Sequence, residues 1–187
     1  MLDLLNMQKH FLKAHIREGD SVADFTMGNG YDTVFLSNAI GPSGTLTAFD
    51  IQPSALEATS ERLRKSGCPS NWRLICDSHS NALKYIDGTI KAGIFNLGYL
   101  PGSGNKALTT KRSSTLPAVK DALSILGDDS ILIVAVYPGH QEGAAEGKEL
   151  IDFFSTQSRY KLSVSQIRML NSPDSPFFIA AETKATR

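Results

Sequence analysis

Cysteine is scarce. The 187 residues hold two, Cys68 and Cys76, with neither C-x-x-C nor metal-ligand spacing. That excludes a disulfide-stapled secreted scaffold and a Cys-rich metal cluster. Cys76 falls inside an apolar run and reads as a small buried hydrophobe. Long hydrophobic runs are missing too. The longest, Ile131 to Tyr137, is seven residues, whereas ~20 are needed to span a bilayer. The opening segment carries Asp3, Lys9, His10 and Lys13 among its apolar residues, so it has no signal-peptide core. Charge of one sign is absent as well: 19 basic and 19 acidic side chains leave a formal net charge of zero. Without a global positive field, any contact with nucleic acid has to use local patches. What remains is an ordinary globular balance, 41% hydrophobic and 20% charged. A soluble cytoplasmic protein is expected, with one domain over residues 1–187.

Short β-rich runs alternate with longer amphipathic ones. Leu4–Ile16 places Leu5, Phe11, Leu12 and Ile16 on roughly one helical face. Strands are expected over Ser21–Thr26, Thr45–Ile51, Trp72–Asp77, Ala92–Leu97 and Ser130–Tyr137. Helices fall between and after them: Tyr31–Ile40, Pro53 to about Ser66, a short one near His79–Ile86, Ser113–Leu126 and Glu142–Gln157. The final runs, Tyr160–Met169 and Phe177–Thr183, are separated only by the turn Asn171–Pro176 and predict an antiparallel hairpin. The whole pattern predicts an α/β fold, a seven-stranded, mostly parallel sheet with helices on both faces. Ligands of such sheets bind outside the carboxyl ends of the strands, and the candidate site residues all lie there.

The first group is Asp24-Phe25-Thr26-Met27-Gly28-Asn29-Gly30-Tyr31-Asp32. Glycines between strand and helix let backbone approach a ligand, and the helix that follows offers unpaired N–H groups. A plain tight turn has the same spelling. The third glycine of the dinucleotide fingerprint would fall at Thr33, so that motif is incomplete. Acidic Asp24 before the turn suits a ligand bearing an ammonium better than an anionic pyrophosphate. Asp50 follows Gly30 by 20 residues, the distance at which a carboxylate reaches ribose hydroxyls, and Gln52 can add a contact. Taken alone, Asp50 serves equally as a strand-end residue or helix cap. Asp77-Ser78-His79 ends the third strand, where Asp77 can meet an adenine amino group and Ser78 can cap the next helix. Asn96 and Tyr99 have the spacing of Asn and Tyr in N-P-P-Y, a motif that aims an acceptor nitrogen at a methyl group. A Gly/Pro turn is the plainer alternative. Lys106, Lys111 and Arg112 form a basic stretch suited to phosphate contacts or to plain solvation, and His140 follows the fifth strand.

With these residues in place, the chain resembles class I S-adenosylmethionine-dependent methyltransferases. More narrowly, D-F-T-M-G-N-G-Y-D-T, A-F-D-I-Q, D-S-H and F-N-L-G-Y-L-P-G resemble a small bacterial rRNA-methylase family. That family is similar to the tRNA 5-(aminomethyl)-2-thiouridine methyltransferases. The resemblance covers nearly the whole chain and implies a Rossmann-like methyltransferase fold with S-adenosyl-L-methionine as cofactor. It implies that Gly28, Asn29, Asp50, Gln52, Ser78 and His79 contact the cofactor, and that Asn96 and Tyr99 line the acceptor site. Asp24, Met27, Gly30, Asp32 and Asp77 join the cofactor set from the reading of the residues. The expected activity is methylation of the aminomethyl nitrogen of a modified wobble uridine in tRNA, by a homodimer that needs no metal. An rRNA or small-molecule amine methyltransferase is the first alternative. A nicotinamide-dependent oxidoreductase or a non-catalytic nucleotide-binding module is the alternative from another class. At Asn96 a neutral carbonyl is expected to accept amine N–H groups with no carboxylate nearby to favour the ammonium.

Overall fold

The computed structural model describes residues 3–97, 112–139, 141–172 and 174–185, with Arg112 and Ser113 by backbone alone. The chain runs α1 (Leu4–His15), β1 (Ser21–Asp24), α2 (Tyr31–Ile40), β2 (Thr45–Asp50), α3 (Pro53–Lys65), β3 (Trp72–Cys76), a 3-10 helix (His79–Lys84) and β4 (Ile90–Asn96). It continues with α4 (Arg112–Ser124), β5 (Leu126–Val136), α5 (Gln141–Ser155), β6 (Leu162–Ile167) and β7 (Phe177–Thr183). The seven strands form one sheet in the order β3-β2-β1-β4-β5-β7-β6. Pairing is parallel from β3 to β5, while β7 runs antiparallel between β5 and β6. The order reverses between β1 and β4, so the crevice for a ligand opens at their carboxyl ends.

Two apolar clusters cover the two faces, sorted by the period-two alternation of the strands. Along β5, Ile131, Ile133 and Ala135 join Leu12, Ile16, Leu36 and Ile40 of α1 and α2. Their neighbours Leu132, Val134 and Val136 join Val119 of α4, Phe154 of α5 and the rings Phe25, Phe49 and Phe95. Asp3 caps α1, accepting the Leu5 N–H at 3.2 Å. At the other end His15 bonds the Asp129 carbonyl and the Glu182 carboxylate, both at 3.0 Å. Because Asp129 lies in the first half of β5, α1 runs antiparallel to that strand and brings its first turns to the crevice.

Several boundaries differ from the pattern. Strand β5 starts at Leu126 rather than Ser130, and α4 stops at Ser124. The polar stretch Gly127-Asp128-Asp129 looks like a turn, yet Leu126 still pairs with Ile90, with a register shift before Ala92 and positive φ at Asp129. This also moves the start of β4 back to Ile90. The helix after β3 is 3-10, and β6 is shorter than Tyr160–Met169. Cys76 is exposed, not buried, because β3 is an edge strand. Among the described residues, no helix is long and apolar enough to cross a membrane.

Candidate active site at the carboxyl ends of β1 to β4

The glycine turn after β1 is shaped by its backbone and locked from α3. Gly28 and Gly30 have φ of 50° and 80°, in the left-handed region. A Cβ on Gly30 would come within 2.9 Å of the Thr59 Cα, so α3 packs directly on the turn. Thr59 donates its hydroxyl to the Gly28 carbonyl at 3.0 Å. Arg62 donates Nε–H to the Asn29 carbonyl at 2.5 Å and lays its guanidinium 3.7 Å from the centre of the Tyr31 ring. Gly30 is the N-cap of α2 and provides no side-chain cap. The opening N–H groups of α2 thus meet the crevice without a capping side chain. Met27 is buried, and its N–H bonds the Phe49 carbonyl at 2.9 Å, extending the β1–β2 pairing into the turn.

Asp50 ends β2 facing this turn. One carboxylate oxygen accepts the Gly28 N–H at 3.1 Å and the other the Gln52 N–H at 2.9 Å. A carboxylate has about four acceptor positions, so these bonds leave capacity for two hydroxyl groups. Asp77 is more fully engaged. It accepts from the Ser78 N–H at 2.7 Å, the Asn81 amide at 3.0 Å and the Tyr85 hydroxyl at 2.9 Å. Those bonds, the Asn81 one foremost, hold its carboxyl below the usual range. Ser78 caps the 3-10 helix by accepting from the Ser80 N–H at 3.2 Å. His79 lies edge-on to Phe95 at 5.6 Å between ring centroids, and burial pushes its imidazole down toward the neutral form. Its Nε2 is buried without a hydrogen-bond partner.

The third group joins β1, α2 and β4. Asp24 is fully buried and accepts from the Thr33 hydroxyl at 2.7 Å and the Thr26 N–H at 3.1 Å. Burial first, then the Asp32 charge, raises its pKa from 3.8 to about 7. Thr33, where a dinucleotide fold would have its third glycine, is therefore a buried partner for this acid. The Thr26 hydroxyl accepts the Asn96 N–H at 2.6 Å, tying the end of β4 to the glycine turn. Asn96 Nδ2 donates to Asp32 Oδ2 at 2.5 Å, and Asn96 Oδ1 is buried without a partner. Burial pushes the Asp32 carboxyl up, while Lys9 and the Asn96 bond act the other way. Tyr137, just beyond β5, is pushed up by burial and then by the Asp32 and Asp3 charges.

Asp24, Met27, Gly28, Asn29, Gly30, Asp32, Asp50, Gln52, Asp77, Ser78, His79 and Asn96 thus lie at or just beyond the ends of four adjacent strands, β3, β2, β1 and β4. Tyr99, Lys106, Lys111 and His140 lie outside the described residues, as does the side chain of Arg112. The expectation of no carboxylate beside Asn96 is corrected by the Asp32 bond. The helix following the turn is placed so that its second residue reaches the end of β4. Thr26, Thr33, Thr59 and Arg62 carry bonds that the sequence reading did not assign. Of these, Thr33 alone had a signal, standing where a glycine was expected. Among the described residues no three His, Cys, Asp or Glu side chains are placed to hold a metal ion.

Residues 46–182 match the family described as "Putative rRNA methylase". The chain is 34% identical over 180 residues to the chloroplastic tRNA (mnm(5)s(2)U34)-methyltransferase of Arabidopsis thaliana, covering 88% of this chain and 63% of that protein. It therefore spans less than two thirds of that relative's length. A structure from Clostridium thermocellum described as a "putative rRNA-methylase" superposes with a TM-score of 0.93 at 33% identity, covering 98% of each chain. A Streptococcus mutans protein described as a "putative methyltransferase", in complex with SAH, superposes with a TM-score of 0.88 at 32% identity, covering 98% of this chain and 99% of that one. The chain belongs to this rRNA methylase family and has the class I methyltransferase fold.

Proposed function

We propose that this protein transfers a methyl group from S-adenosylmethionine to an amine nitrogen on RNA, the aminomethyl nitrogen of a modified wobble uridine in tRNA. The observation that carries the reading is Asn96. Its amide N–H is committed to Asp32, which leaves the buried Oδ1 at the end of β4 as an acceptor without a partner. An unmet buried acceptor costs about 1–3 kcal/mol, a cost that an amine N–H removes on binding. The name of the chloroplastic relative supports the wobble-uridine target, and the family supports RNA as the substrate class.

The crevice fits the cofactor. Asp50 has two acceptor positions for ribose hydroxyls, braced by the Gly28 and Gln52 N–H groups. Gly28 and Gly30 let backbone come close, and His79 Nε2 is a buried polar atom without a partner beside this pocket. When bound, S-adenosylmethionine supplies an electrophilic methyl group, to which the nitrogen lone pair bonds as the sulfur–carbon pair returns to sulfur. Asn96 then acts by orientation: its carbonyl accepts an amine N–H and aims the lone pair. The clamp of Thr59 and Arg62 holds the turn in place, so little reorganisation accompanies binding.

The reading includes a cytoplasmic homodimer, which sedimentation of the purified protein tests. The main experiment is methyl incorporation into tRNA carrying the aminomethyl precursor, with mass spectrometry of tRNA and rRNA nucleosides from cells with and without the protein. Loss of the methylaminomethyl nucleoside from tRNA of the deleted strain is expected. A change confined to rRNA would move the target.

A further inference from the structure

The sequence places Asp32 with the cofactor residues; its contacts point elsewhere. Asp32 is the second residue of α2. Instead of bonding the glycine turn, its Oδ2 accepts from Asn96 at the end of β4. The two acids near this point have separate tasks. Asp24 is held inside by Thr33 and Thr26, whereas Asp32 shares its position with the acceptor-facing amide. We propose that Asp32 takes the proton from the acceptor ammonium while its bond to Asn96 turns the Asn96 carbonyl toward the same nitrogen. This rests on the amine-methyltransferase reading above.

The chemistry requires such a group. An aliphatic amine is mostly protonated at neutral pH, and the ammonium has no lone pair. One N–H bond breaks, its electron pair stays on nitrogen, and the proton forms an O–H bond on Asp32. The freed lone pair is the nucleophile. Among the described residues, the charged and titratable groups around Asp32 are Lys9 of α1, Asp24 of β1 and Tyr137 after β5. Burial raises the proton affinity of Asp32, and Lys9 tempers it, which brings a carboxylate closer to the working range of a general base. Asparagine at position 96 also fits: a second carboxylate there would repel Asp32, whereas an amide donates to it and keeps its oxygen for substrate.

The test compares two probes on wild type and Asp32→Asn by calorimetry. S-adenosylhomocysteine has no group at the methyl position, whereas sinefungin has an amino group there. Asparagine is nearly isosteric and still accepts from Asn96, so the fold and the amide orientation are retained. The variant should bind S-adenosylhomocysteine within about twofold of wild type and sinefungin about tenfold more weakly, the loss of one charge-assisted hydrogen bond. In parallel, single-turnover methyl transfer to aminomethyl-tRNA should slow by about 10²-fold or more, with the rate profile shifted to higher pH. Equal losses for both probes would assign Asp32 to the cofactor and overturn the proposal, as would unchanged sinefungin affinity. If wild type prefers sinefungin through Asp32 but leaves aminomethyl-tRNA unmethylated, the substrate reading fails and the cation site at Asp32 stands.

Discussion

Asp24 illustrates how burial sets the chemistry of one residue. Its pKa moves from 3.8 to about 7 because the carboxyl is enclosed and faces the Asp32 charge. The folded chain binds this proton more tightly than the unfolded chain. Its stabilising contribution is therefore fully present below about pH 3.8 and is lost as pH rises through about 7. Asp24→Asn, whose oxygen can accept from the Thr26 N–H while its amide donates to the Thr33 hydroxyl, should be as stable as wild type or more so at pH 8, with the difference shrinking toward pH 5. Urea unfolding at both values measures this, and a variant that is less stable at pH 8 than wild type contradicts it. At Asp50 the expected effect is on binding. Asp50→Ala removes the charged acceptor of two ribose hydroxyls, each bond worth ~1.5–3 kcal/mol. Calorimetry should show S-adenosylmethionine affinity falling by more than about tenfold. Asn96→Ala should do the reverse, leaving cofactor affinity nearly intact while kcat falls about 10²-fold or more with a smaller change in KM. Its backbone N–H keeps the bond to Thr26, so the strand end holds. Near-normal turnover would remove Asn96 from the reacting nitrogen.

Between elements, the glycine turn depends on α3 more than on itself. Gly30 combines a φ of 80° with a Cβ position 2.9 Å from the Thr59 Cα, so alanine is strained twice. Gly30→Ala should cost about 1–3 kcal/mol and also weaken cofactor binding. Denaturant midpoints and calorimetry on the same protein check both. Retained stability would mean that α3 moves freely away from the turn. This scale also shows why part of the site was legible and part was not. Asp50 could be found by its distance from Gly30 along the chain, and Gly28 and Gly30 by their position between strand and helix. Thr59 and Arg62 bond the turn from 31 and 33 residues away, and a threonine or arginine on a helix carries no local mark of that. The bond between Asp32 and Asn96 was not legible, because it depends on where β4 ends, a tertiary fact. The strand starts at Ile90 and Leu126 were hidden for a related reason: their pairing continues through Gly127-Asp128-Asp129, residues that usually break strands.

Across the whole molecule, sheet order and charge act together to choose the ligand. The reversal between β1 and β4 makes one crevice, as in any doubly wound sheet, so topology alone admits a dinucleotide. The carboxylates decide the matter. Asp32 and Asp50 both lie close enough to Asp24 to raise its pKa, and Thr33 occupies the place of the glycine that packs helix closely on strand in the dinucleotide fingerprint. An anionic pyrophosphate meets repulsion there, whereas sulfonium and ammonium groups are attracted. S-adenosylmethionine at about 100 times its Kd should stabilise the protein by about 2.7 kcal/mol. For a chain of this size each kcal/mol raises Tm by about 2–4 °C, so the expected shift is about 5–11 °C. NAD at the same concentration should shift Tm by less than about 1 °C, since a ligand below its Kd stabilises by only a few tenths of a kcal/mol. Repeating the melt at low and high salt separates the contributions, because exposed charge repulsion is screened beyond about 10 Å at 0.1 M salt while the buried pair is not. An NAD shift equal to that of S-adenosylmethionine would show that the three acids do not discriminate between the ligands.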